Sequence, residues 1–144
     1  MARVIGVAGL AFEARIAAGG YTHAIRSGNG SVLAGSLGSV IAEDCRGLIS
    51  FGLAGGLSPN LPAGTCIVGS TIVSETIQLN TDRTWSQALL RLIPESIHGA
   101  IAGVTTIVAQ PEAKRVLHVR TGALAVDNES HVVASIAGAN RLRD

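Results

Sequence analysis

Short apolar runs alternate with segments of helical spacing along the whole chain. The run RVIGVA at 3–8 reads as a buried strand closed by Gly9, and residues 10–18 as a short helix stopped by Gly19 and Gly20. Residues 21–26 alternate like a second strand, and Ser27, Gly28, Asn29 and Gly30 form a turn. A helix is expected over 31–45, with Val32, Leu33, Leu37, Val40 and Ile41 on its apolar face. The continuous run 47–53 reads as a central strand ended by Ala54, Gly55 and Gly56, with a loop over 58–64. Beyond it come a β-branched strand at 65–74, an amphipathic helix at 85–93 and a strand region at 97–108. A helix at 111–118 opened by Pro111, a strand at 123–127 and a last helix at 129–137 complete the series. This alternation predicts an α/β fold with a mostly parallel or mixed sheet.

Composition narrows the picture. Hydrophobic residues make up 47% of the 144 and charged residues 15%, the reverse of a disordered chain. With 18 glycines and only 3% aromatics, the core must come from Ala, Val, Ile and Leu. The length suits one domain over 1–144. Eleven basic residues against ten acidic ones leave a net charge of +1, without the basic stripe of a nucleic-acid binder. Cys45 and Cys66 lie far apart and in no metal-binding spacing, which reads as two reduced thiols in a cytoplasmic protein. The apolar N-terminus is broken by Glu13 and Arg15 and reads as a strand rather than a signal peptide. No apolar run reaches the ~20 residues that span a bilayer.

Ligands of open α/β sheets bind at the carboxyl ends of the strands, and three segments fall there. Arg26 to Gly30 follows a strand and precedes a helix: it is either an ordinary turn or a site for an anion or a ribose. It lacks the third glycine of a dinucleotide fingerprint, Leu33 standing there, and the Gly-Lys-Ser/Thr of a phosphate loop. Gly52 to Gly56 is either a tight strand exit or a surface that lets a flat ligand approach the backbone. Asp127, Asn128, Glu129, Ser130 and His131 crowd polar groups onto a strand-to-helix junction. Glu129 there also suits a helix N-terminus, and His131 by itself reads as structural. Glu13, on the first helix, is either a solvated surface residue or a functional carboxylate.

Four stretches together resemble the purine nucleoside phosphorylase/nucleosidase family: VIGVAGLAFEARIAA at 4–18, SGNG at 27–30, ISFGLAGGLSPNLPAGTCIVGSTIVSE at 49–75 and TGALAVDNESHVVA at 121–134. The specific signals are the glycine-rich GLAGGL after the central strand and the VDNES strand end after it. GLAFEARIA and ESH are most similar to the hopanoid-associated branch. The resemblance implies a three-layer α/β/α fold with a central mixed sheet, phosphorylase/hydrolase-like. It implies cleavage of a purine N-glycosidic bond without a cofactor, phosphate being an optional co-substrate. The substrate implied is a small nucleoside, adenosylhopane in the hopanoid branch, and the assembly a homo-oligomer.

Residue by residue, the resemblance places Glu129 on the ribose hydroxyls, above Asn128, where the family usually has Met. Leu53, Ala54 and Gly55 match the strand exit beside the purine. Ser27 and Gly28 match the loop near the ribose and the phosphate or water. Glu13 lies close to the acidic residue that holds the attacking water and is the catalytic candidate. The family continues through a further strand to an aspartate that serves the purine. Here Asp144 follows what reads as a polar tail, so the chain is expected to be a truncated or diverged relative lacking the C-terminal strand and its donor. A catalytically incompetent chain that binds a nucleoside or a partner subunit is the competing reading.

Overall fold

The computed structural model describes residues 3–19, 22–26 and 30–144. It is a mixed α/β protein with strands β1 (Arg3–Ala8), β2 (Thr22–Arg26), β3 (Cys45–Ser50), β4 (Gly55–Gly56), β5 (Ile67–Val73), β6 (Gln78–Asn80), β7 (Ile97–Gly103) and β8 (Ala125–Asp127). The helices are α1 (Ala11–Ala17), α2 (Gly30–Val40), α3 (Arg83–Leu92), α4 (Pro111–Thr121) and α5 (Ser130–Ala139). The chain divides into two compact units, Met1–Leu53 with Asn128–Asp144, and Ala54–Asp127.

In the first unit β1 lies between β2 and β3, all parallel, with Ile5 opposite His23 on one side and Leu48 on the other. A central parallel strand is covered on both faces and must be apolar throughout. Ile5 and Val7 are accordingly fully buried, with Leu33 and Leu37 of α2, Leu48 of β3, and Val133 and Ala137 of α5. Leu33 and Leu37 are spaced i, i+4, the spacing that keeps them on one helix face. The helix expected to run to 45 stops at Val40. A turn closed by the Cys45 N–H donating to the Ala42 carbonyl (2.9 Å) returns the chain to the sheet, and Cys45 opens β3 instead. The polar end of the chain after α5 forms no strand but makes one isolated bridge. Arg143 bridges Gly47 in parallel, its carbonyl accepting from Leu48 N–H at 2.8 Å on the free side of β3.

The second unit has a five-stranded sheet ordered β4-β8-β7-β5-β6, parallel inside and antiparallel at both edges. Leu57, Ala102, Leu117, Ala123 and Val126 form its core. Helix α3 starts two residues before the sequence suggests, because Asp82 caps it by accepting from Trp85 N–H at 2.8 Å. Helix α4 has Pro111 at its start and ends at Gly122 in the left-handed conformation (φ 69°). The edge strands β4 and β6 were not foreseen. Gly55-Gly56 and Gln78-Leu79-Asn80 carry no apolar pattern, and each is made by its neighbour, β8 or β5.

Candidate functional site

The carboxyl ends of β1 and β3 and the start of α5 bring together the polar groups of the first unit. Strand β1 runs into Gly9 and Leu10, and α1 begins at Ala11. Glu13, at the third position of α1, reaches back so that Oε2 accepts from Leu10 N–H at 2.8 Å. This is the glutamate half of a capping box, satisfying a donor that the helix start leaves without an intrahelical partner. The other oxygen, Oε1, accepts from Leu53 N–H at 2.8 Å, at the exit of β3. One carboxylate thus ties the β1–α1 turn to the end of the neighbouring strand. Glu13 is only 4% exposed, so the reading of a solvated surface residue falls.

The glycines explain how this fits. Gly52 has φ 150°, which L side chains rarely adopt, and a Cβ there would lie 2.7 Å from the Glu13 carboxylate. A Cβ on Gly9 would lie 3.0 Å from Glu129 Oε1 and 3.6 Å from Glu13 Oε2. The two carboxylates therefore face the same bare stretch of backbone. Glu129 sits immediately before α5, its carbonyl accepting from Val132 and Val133 N–H, both at 3.0 Å. Its negative charge is favoured by the positive end of that helix. Buried Ser130 donates its hydroxyl to Ser50 Oγ at 3.3 Å, joining the helix start to the end of β3. His131 follows on α5 with Nδ1 buried and no partner among the described residues.

Of the sequence candidates, Glu13, Leu53 and Glu129 meet here, and Asn128 adjoins them in the chain, half-buried. Ser27 and Gly28 lie outside the described residues. Ala54 and Gly55 belong to the second unit, where Gly55 pairs with Val126 in β4–β8. There a Cβ on Gly55 would lie 3.3 Å from Val126 Cγ1 and 3.9 Å from the Lys114 ammonium. Ser50 joins the site without a signal in the sequence, and Gly9, which closes the first strand, proves also to be the backbone that both carboxylates face. A Gly-x-x-x-Glu after a buried strand is the signal for Gly9, since the helix start must bring the carboxylate back over the glycine. Among the described residues no group of three or more His, Cys, Asp or Glu is placed to hold a metal ion, and no helix is long and apolar enough to cross a membrane.

Comparison with solved structures gives the fold a specific type, that of bacterial nucleosidases. Futalosine hydrolase of Helicobacter pylori superposes with a TM-score of 0.85 at 18% identity, over 99% of this chain and 84% of that one. A variant of the 5′-methylthioadenosine nucleosidase from the same organism, with 5′-methylthioadenosine in its active site, gives 0.85 at 16% identity, over 99% and 82%. The MTA/SAH nucleosidase of Streptococcus pneumoniae, in complex with 8-aminoadenine, gives 0.81 at 17% identity, over 98% and 81%. No protein-family model matches the sequence, and no curated protein does.

Proposed function

We propose that this chain is a nucleosidase that cleaves the N-glycosidic bond of a purine nucleoside. The observation that carries the reading is the convergence of Glu13 and Glu129 on Gly9, in a fold shared with nucleosidases. Hydrolysis forms a bond from a water oxygen to the anomeric carbon and breaks the carbon–nitrogen bond, whose electron pair leaves with the base. The water gives up one proton and the base takes up one. In this scheme Glu129 holds the ribose hydroxyls, which fixes the sugar for in-line attack. Glu13, immobilised by two backbone N–H groups, orients the water and stabilises the positive charge growing on the ribose. The resemblance further assigns Leu53, Ala54 and Gly55 to the base, Asn128 to the sugar, and Ser27 and Gly28 to the ribose side, and we propose these roles on that ground alone. With phosphate in place of water the same geometry serves phosphorolysis.

Adenosylhopane or another lipid-linked adenosyl compound is the substrate we favour. Support comes from the GLAFEARIA and ESH stretches and from the apolar side chains Leu10 and Leu53, both exposed, whose backbone N–H groups hold Glu13. The protein would act in the cytoplasm as a homo-oligomer, exposed Phe12 and Ile16 of α1 suiting a subunit contact. One observation favours a second reading, a nucleoside-binding chain without turnover: both oxygens of Glu13 are already engaged by backbone donors. The test is to incubate the protein with adenosine, 5′-methylthioadenosine or adenosylhopane, with and without phosphate, and to measure free adenine. Release abolished by Glu129→Gln supports the enzyme. Binding of nucleoside without release supports the second reading, and neither binding nor release rejects both.

A further inference from the structure

We infer that the Ser50–Ser130 hydroxyl pair sets the position of Glu129 and, through it, the preference for a sugar that carries both ring hydroxyls, an inference that rests on the nucleoside reading of Glu129. All the residues involved belong to the first unit. Glu129 is anchored by its backbone. Its side chain makes no cap bond to α5, while its carbonyl accepts from Val132 and Val133 N–H, both at 3.0 Å. The glutamate therefore goes where the first turn of α5 goes. The next residue, Ser130, ties that turn to the sheet by donating its hydroxyl to Ser50 Oγ at 3.3 Å. Ser50 lies opposite Val7 in the β1–β3 register, and Val7 is two residues before Gly9. A Cβ on Gly9 would lie 3.0 Å from Glu129 Oε1. The path from Gly9 along β1, across to Ser50, over to Ser130 and back through Glu129 is thus closed, and the hydroxyl pair is its side-chain link.

The residue types point to positioning rather than packing. The buried stripe of α5 is Ser130, Val133, Ala134 and Ala137, the spacing of one helix face. On β3, Ser50 follows Leu48 at i+2 and shares its face, and Leu48 is buried in the same cluster as Val133 and Ala137. Alanine at 50 and 130 would continue both surfaces with no polar group to satisfy. Instead two hydroxyls stand against each other at the carboxyl end of the strand, beside Glu129. Apolar contact is non-directional, whereas a hydrogen bond fixes a distance and an angle. At 3.3 Å this bond is longer than the usual O–H···O bond, so it adds little stability. Its effect falls on where Glu129 sits.

The test measures, by calorimetry, the affinity of the full chain for adenosine and for 2′,3′-dideoxyadenosine, whose sugar lacks both hydroxyls. The variants are Ser50→Ala, Ser130→Ala, the two combined and Ser50→Thr, with circular dichroism and Tm to confirm folding. The native protein should prefer adenosine. Each alanine variant should lose about two- to tenfold of that preference through weaker adenosine binding, with dideoxyadenosine binding unchanged. The combined variant should lose no more than Ser130→Ala alone, since the hydroxyls act as a pair. Ser50→Thr, which keeps the hydroxyl, should retain the preference. Equal weakening of both nucleosides, or additive losses in the combined variant, overturns the inference. If Ser130→Ala fails to fold, Ser50→Ala and Ser50→Thr decide by the same ratio. A native preference kept by both alanine variants removes the role of the serine pair alone. A native protein that binds adenosine no better than the dideoxy compound removes the nucleoside reading of Glu129 and this inference with it.

Discussion

A methyl group is the smallest probe of the carboxylate pair. At Gly9 it meets Glu129 Oε1 at 3.0 Å, a contact that a flexible side chain relieves by shifting a few tenths of an ångström. At Gly52 it meets the Glu13 carboxylate at 2.7 Å, on a backbone that L residues avoid and with a carboxylate held at both oxygens. The two glycines therefore differ in what they protect. Gly52→Ala should destabilise the fold by about 1–3 kcal/mol, the usual cost of a strained backbone conformation, seen as a lowered Tm. Gly9→Ala should leave Tm nearly unchanged but displace Glu129 and reduce adenine release. If Gly9→Ala releases adenine at the native rate, Glu129 does not act from its position over that glycine. Glu129→Gln should weaken nucleoside binding by about 1.5–3 kcal/mol in calorimetry, since it replaces a charged hydrogen-bond acceptor by a neutral one.

Elements whose burial repeats with a fixed period were legible in the sequence, and elements made by their neighbours were not. RVIGVA is nearly apolar throughout because β1 is the middle strand of its sheet and successive residues, on both faces, are buried, and that run marks it without help from the rest of the chain. Strands β4 and β6 exist only because β8 and β5 offer them free hydrogen-bonding edges, so nothing in Gly-Gly or Gln-Leu-Asn announces them. The same divide runs through the site. Glu129 was visible as one of a dense run of polar residues at a strand end. The burial of Glu13 was not, because it depends on a backbone N–H forty residues away, that of Leu53. Helix ends were read to within a few residues where a cap marks them. Gly122 closes α4 at φ 69°, with no atom within 4 Å of a Cβ placed there. Gly122→Ala should therefore cost about 1 kcal/mol through backbone conformation alone, with no packing loss. Denaturant unfolding measures it, and an unchanged midpoint would show that the left-handed cap contributes nothing.

The whole chain folds as two units that are continuous through Leu53–Ala54 and Asp127–Asn128, each with a hydrophobic cluster of its own. Natural probes fall on opposite sides of that division. Cys45 is buried in the cluster of the first unit, while Trp85, the sole tryptophan, lies on α3 in the second. Cys66 is exposed, so a thiol reagent should titrate one cysteine quickly in the native protein and reach Cys45 only when the first unit opens. Leu37 is fully buried, and Leu37→Ala removes core volume from the first unit only, at a cost of about 2–5 kcal/mol. Because the second unit keeps its own core intact, the midpoint for Cys45 labelling should fall well below its native value, while the Trp85 fluorescence transition moves less. Coincident shifts of both probes would show instead that the 144 residues unfold in one cooperative step.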